Sequence, residues 1–174
     1  MWASTPMKAL ARAATTPWVK RMGAASLDSP VGPLTIWEEA GEITRLDWTR
    51  GPDLKAESPE VLHEAVAQMG AYFAGTLTVF DLPLQLGPSA FQAIFQNRLL
   101  DIPFGETLTY GDLSRLLEVP AQAIGQACGA NRIPIIVPCH RVLGANGLGG
   151  FSGRGGVEAK VALLRHEGAA GLLI

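Results

Sequence analysis

The sequence predicts a chain in two parts, a small α/β half followed by a mostly helical half that carries a helix-turn-helix. Three observations predict it. Apolar residues alternate on either side of the turn "EEAGE" in "LDSPVGPLTIWEEAGEITRLDW", the period-two signature of a β-hairpin. Two later segments, starting at Ser58 and Ser89, carry apolar side chains at helical spacing. Finally, "TYGDLSRLLEVPAQAIGQACGAN" offers two short helices around a tight break.

Taken in order, residues 1–23 read as an Ala- and Arg-rich extension before the fold, expected to be poorly ordered, with Lys8, Arg12, Lys20 and Arg21 and no acid. Residues 24–87 form the α/β half. After the hairpin, "SPEVLHEAVAQMGAYFAG" predicts a helix with Ser58 as N-cap, Pro59 at the first helical position and Gly75 as stop. Its apolar face is Val61, Leu62, Ala65, Val66, Met69 and Phe73, and His63 on it reads as structural or solvated. "TLTVFDLPLQL" reads as a further strand. Residues 88–170 form the helical half. Ser89 and Gln92 make a capping-box pair before a face of Phe91, Ile94, Phe95 and Leu99. Thr109 caps a helix with Leu113, Leu116 and Leu117 inward, Glu118 and Val119 break it, and Pro120 starts the next.

At 174 residues, with 48% apolar and 17% charged residues, the chain is long enough for a real core and too apolar for disorder. The net charge of −2 points by itself to no polyanionic partner, but its distribution is uneven. Residues 28–81 hold three basic and ten acidic side chains, whereas residues 98–165 hold seven basic and five acidic. Two cysteines cannot build a disulfide framework and no Cys/His spacing suits zinc, so a reducing cytoplasm is expected. No apolar run approaches the roughly 20 residues a membrane span needs.

Two features call for a chemical explanation. In the second helix of the pair, Ala121, Ala123, Gly125, Ala127 and Gly129 leave little side-chain bulk, although each interior Gly costs about 1 kcal/mol relative to Ala. Either another helix packs closely there, or a nucleic-acid groove does; a minor groove about 6 Å wide requires such slimness. The other feature is "IPIIVPCHRVLG", in which Ile135, Ile136 and Val137 between two prolines read as a short buried strand that delivers Cys139 to a polar loop.

"NRIPIIVPCHRVLGANGLGGFSG", with "TYGDLSRLL" upstream and "KVALLRHEG" downstream, resembles the O6-alkylguanine-DNA alkyltransferases over about Ala25 to Gly168, most specifically in "PCHRV". The resemblance implies a ribonuclease-H-like first half (sheet plus helix) and a winged-helix-like second half whose recognition helix enters the minor groove. It implies a monomer that binds double-stranded DNA containing O6-alkylguanine, flips the base, and takes the alkyl group onto Cys139 once, with no cofactor and no metal. His140 would accept the thiol proton through a water and Glu167 would orient His140. Tyr110 would serve the departing guanine and the flipped nucleotide. Asn131 matches a hinge that ties the recognition helix to the cysteine segment. Val142 and Ser152 match backbone positions that line the guanine pocket, and Lys160 matches a Lys of the final helix. Arg141 serves structure or a phosphate contact; Ala121 and Gly125 would face the DNA.

The chemistry agrees with the role given to Cys139, since a thiolate attacks saturated carbon at neutral pH without a metal and a buried thiol needs a base. Flipping is required because O6 cannot meet a buried thiolate from inside the stack. Two departures stand out. Gln122 occupies the place of an Arg that fills the gap left by the flipped base, with Arg115, Arg132 and Arg154 nearby in sequence. The loop "GFSGRGGVEAK" has Phe151 and two extra residues around Arg154. A non-catalytic lesion-sensing protein and a Cys-His hydrolase are the alternative readings.

Overall fold

The computed structural model describes residues 22–151 and 153–169. Three antiparallel strands, β1 (Met22–Leu27), β2 (Leu34–Glu39) and β3 (Glu42–Asp47), lie in the order β1-β2-β3. Met22 and Gly23 therefore belong to the sheet and not to the extension; the rest of that segment lies outside the described residues. Strand β2 turns into β3 through Ala40 and Gly41, both at positive φ, which suits the right-handed twist of a two-residue hairpin. Ile43 and Leu46 are both buried although three residues apart, which a regular strand does not allow. The register shift opposite Trp37 and Glu38 supplies the extra residue that turns both inward.

Helix α1 (Glu60–Phe73) covers the sheet with Leu62, Ala65, Met69 and Tyr72, all fully buried. Of the expected face, Leu62, Ala65 and Met69 are buried and Val61, Val66 and Phe73 are half-buried against the core; Tyr72, three residues after Met69, is the fully buried residue it left out. Ser58 does not cap: its hydroxyl accepts from the Lys55 N–H, and Pro59 is the N-cap residue, without a side-chain bond. Gly75 does end the helix, at φ +75°, with its own N–H on the Tyr72 carbonyl and that of Thr76 on Ala71, a Schellman closure. The segment expected as a strand after it makes one bridge, Ile43 to Leu84. Pro83 has no N–H to extend the ladder.

The second half comprises α2 (Ala90–Leu100), β4 (Leu108–Thr109), α3 (Tyr110–Leu117), α4 (Ala121–Gly129), β5 (Val142–Leu143) and α5 (Gly156–His166), with β4 and β5 parallel. Ser89 caps α2 through the Gln92 N–H, but the Gln92 side chain does not return the bond and reaches the Ala127 carbonyl of α4 instead. The buried face of α2 is Gln92, Phe95, Gln96 and Leu99, and Ile94 is exposed. Thr109 and Asp112 form a complete capping box on α3. Of the three leucines expected inward, Leu113 is buried, Leu117 is half-buried and Leu116 is exposed. Glu118, at φ +55°, makes the break before α4.

Candidate active site

Residues 135–137 are not a strand. Ile135 takes φ +73°, the Val137 N–H bonds the Ile133 carbonyl, and the Cys139 N–H bonds the Val137 carbonyl at 2.8 Å across Pro138. With φ −83° and ψ 64°, Pro138 forms an inverse γ-turn. The two prolines leave too little chain to pair, so the segment folds on itself and leads directly into a 3-10 turn, Cys139–Arg141, that directs three consecutive side chains into the interior.

Asn131 holds this loop. Its Nδ2 donates to the Val137 carbonyl at 2.9 Å, and its Oδ1 accepts from the Ile133 N–H at 3.1 Å and from Gln96 Nε2 at 3.2 Å. The end of α4 is thereby fastened to the cysteine turn, and Gln92 of α2 holds α4 through the Ala127 carbonyl. These two buried glutamines were not foreseen as part of the site.

Behind the cysteine lies a buried polar network centred on Glu167, the residue that ends α5. Its Oε1 accepts from His140 at 2.7 Å, from Tyr72 Oη at 2.7 Å and from Arg141 Nη2 at 3.0 Å; its Oε2 accepts from Arg141 Nε at 2.9 Å. Burial alone would raise the carboxyl pKa, but hydrogen bonds from His140 and Arg141 hold it well below the usual carboxylate range. The ionised carboxylate only accepts, so the His140 nitrogen facing it, Nε2, carries the proton and Nδ1 keeps its lone pair. Burial lowers the His140 pKa, so the ring is neutral, and Nδ1 has no hydrogen-bond partner among the described residues. Arg141 turns its third nitrogen, Nη1, to the Ile102 carbonyl at 2.6 Å. Of the two roles open to it, structure and phosphate contact, its interior placement corrects the reading to the first. Tyr72 was missed in the sequence, although the spacing of α1 marks it.

Cys139 is buried, which raises its pKa, while contact with Asn131 and the charge of Lys160 work the other way. A cavity of about 270 Å³ reaches it, lined by Tyr110, Gly125, Cys128, Gly129, Gly150 and Phe151 as well. Burial pushes the Tyr110 phenol up to about 12, so it stays protonated and able to donate. Lys160 is buried, with Nζ on the Val142 carbonyl at 2.5 Å and on that of Gly150 at 3.1 Å, which ties the loop after β5 to α5. Val142 is buried at the start of β5, and Ser152 lies outside the described residues. Ala121, Gln122, Gly125 and Gly129 form an exposed face of α4. A Cβ built on Gly125 or Gly129 would meet nothing within 4 Å, so close packing against another helix does not explain these glycines. Among the described residues no group of three or more His, Cys, Asp or Glu could hold a metal ion, and no helix is long and apolar enough to cross a membrane.

Comparison with known proteins agrees with this arrangement. Residues 22–86 match the ribonuclease-like domain, and residues 90–169 the DNA binding domain, of 6-O-methylguanine DNA methyltransferase. The chain belongs to this family. It is 43% identical over 157 residues to the methylated-DNA–protein-cysteine methyltransferase of Mycobacterium bovis, covering 82% of this chain and 90% of that one. The crystal structure of the Mycobacterium tuberculosis O6-methylguanine methyltransferase superposes with a TM-score of 0.74 at 39% identity, over 88% of this chain and 97% of that one. Another crystal structure of the tuberculosis protein, in complex with DNA, gives 0.72 at 42% identity, over 83% and 92% of the two chains. The family therefore reaches across both halves, the sheet as well as the helix-turn-helix.

Proposed function

We propose that this protein repairs DNA by direct reversal, moving the alkyl group of O6-alkylguanine in duplex DNA onto its own Cys139 in one irreversible event. The observation that carries the reading is a buried thiol at the end of a cavity, backed by a neutral His and an ionised Glu, beside the bare face of a helix-turn-helix. The slim face of α4 enters the minor groove through Ala121 and Gly125, and the flipped guanine occupies the cavity. The Cys139 proton passes to His140 Nδ1, through a bridging water, and the imidazolium that forms is stabilised by Glu167. The thiolate attacks the alkyl carbon, an S–C bond forms, the C–O6 bond breaks, and the electron pair remains on guanine. Tyr110 donates a hydrogen bond to the departing base, and the proton that left Cys139 passes from the imidazolium through water to guanine, so that His140 and Tyr110 end as they began. The products are an S-alkyl cysteine and unmodified guanine, and the thioether cannot leave again, so the chain works once.

Asn131 acts as the hinge between α4 and the cysteine turn, and Arg141 fixes the charge of Glu167. Val142 and Ser152 contribute backbone groups to the guanine pocket; the Val142 carbonyl already accepts from Lys160 and keeps one lone pair. The protein acts as a monomer in the cytoplasm, where both cysteines remain thiols.

The test is to mix the protein with a duplex oligonucleotide containing O6-methylguanine and weigh the intact chain. One methyl group per chain, located on Cys139 by peptide mapping and absent in Cys139→Ser, is the expected result. Multiple turnovers, or a methyl group on Cys128, would overturn the proposal.

A further inference from the structure

A second, larger cavity of about 750 Å³ lies beyond the C-terminal end of α4, between that helix and the outer strand of the sheet. Its lining includes Arg45, Asp47 and Trp48 from the first half and Gly129, Arg132 and Arg154 from the second. Three guanidinium groups and one carboxylate therefore face a single groove. Asp47 is already occupied, accepting from Trp37 Nε1 at 2.9 Å and from Arg45 Nε at 2.6 Å. Arg132 is exposed and has no carboxylate partner among the described residues. Among the described residues Arg154 reaches only the Trp48 carbonyl, at 3.5 Å. Trp48 is 7% exposed, and its indole N–H is a buried donor without an acceptor among the described residues, set behind the groove surface. Two guanidinium groups without a carboxylate partner among the described residues, Arg132 and Arg154, facing one groove call for an occupant rich in anionic oxygen.

The groove also touches the active site. Gly129 lines both cavities, and Phe151, on the wall of the Cys139 cavity, packs edge-to-face on Trp48 with ring centroids 5.8 Å apart. A duplex lying on the bare face of α4 would continue over Gly129 toward Arg132 and Arg154. We propose that this groove is a phosphodiester site, in which Arg132 and Arg154, supported by Arg45 across the groove, hold the backbone of the DNA whose alkylated base enters the neighbouring cavity. This assignment rests on the reading of the protein as a DNA alkyltransferase. It gives the N-terminal sheet a part in DNA binding and supplies cationic contacts to a chain whose recognition helix carries uncharged Gln122.

The experiment measures affinity for an undamaged duplex across a salt series, so that it does not depend on alkyl transfer. The double variant Arg132→Gln with Arg154→Gln is compared with Arg132→Lys with Arg154→Lys and with wild type, each checked for an unchanged melting temperature. Loss of two phosphate contacts should lower the slope of log affinity against log salt by about two, at roughly 0.9 per contact, and weaken binding at least tenfold at low salt. The lysine pair should keep the wild-type slope, because it keeps the charges. An unchanged slope in the glutamine pair would overturn the proposal, as would equal loss in the lysine pair. Protection of the wild-type groove by inorganic phosphate alone, with no difference in duplex binding, would show a free-anion site instead and also overturn it. Failure of methyl transfer with the salt result intact would sink the catalytic reading and leave the groove standing.

Discussion

At Cys139 the problem is to keep a nucleophile protected and still deprotonate it on demand. Burial solves the first half by raising the thiol pKa, and it would defeat the second half if the base were charged. His140 is neutral for the same reason that Cys139 is a thiol: both are desolvated. In the proposed relay Glu167 directs the imidazole, because its carboxylate accepts at Nε2 and so fixes the lone pair on Nδ1. Removing the ring should then slow single-turnover transfer by about 10²–10⁴-fold in His140→Ala, the usual worth of a positioned general base. Affinity for the duplex should change little, because His140 is fully buried and cannot touch DNA. Rapid-quench kinetics measure the first and a binding titration the second; wild-type rates in His140→Ala would rule out the relay.

At the scale of elements, what was legible depended on whether the information was local. The hairpin turn, the Gly75 stop, the Thr109 cap and the Glu118 break follow from backbone preferences of a few residues, and each stands where expected. The face of α2 was misplaced because the partners of Gln92 and Gln96 are a carbonyl of α4 and the amide of Asn131, distant in sequence. The apolar run before Cys139 carried β-branched residues but had no neighbouring strand to pair with, so propensity lost to the two flanking prolines. The candidate site was legible through "PCHRV", whereas Tyr72 was hidden because its reward is a bond to Glu167, 95 residues away. Helix α4 was the element read best, and it yields a prediction at Gln122, exposed in its first turn. Gln keeps a planar amide but lacks the charge and reach of Arg. Gln122→Arg should bind an O6-methylguanine duplex more tightly by about 1–3 kcal/mol, on the scale of base-stacking contacts, with a salt slope steeper by about 0.9. Unchanged affinity across the salt series would mean that the flipped base is replaced by another device.

Across the whole molecule, the two halves meet through the same buried network to which the proposed mechanism assigns the proton transfer. Tyr72 on α1 bonds Glu167 at the end of α5, and the carbonyl of Tyr72 pairs with His166 Nε2 at 2.7 Å. Strand β3 is joined to the segment after α4 by the Leu46 N–H on the Arg132 carbonyl, at 2.8 Å. Protonating the network should therefore loosen the whole fold and not the site alone. His140 has a folded-state pKa below its unfolded value of about 6.5. Its contribution is present above that pH and is lost as pH falls below it, because the unfolded chain takes up the proton first. Glu167 is likewise depressed, from an unfolded value of about 4.3, so its contribution is present above that pH and is lost further into acid. Stability should thus fall with acidification in two stages, each at up to about 1.4 kcal/mol per pH unit for each proton taken up. Glu167→Gln should lose about 3–5 kcal/mol at pH 7, since it leaves the buried Arg141 guanidinium without its counter-charge, and it should no longer show the second stage. Urea unfolding of both proteins between pH 8 and pH 3.5 measures this. A wild-type stability that stays level or rises as pH drops from 6.5 to 4 would show that the network is not held in the charge state its geometry implies.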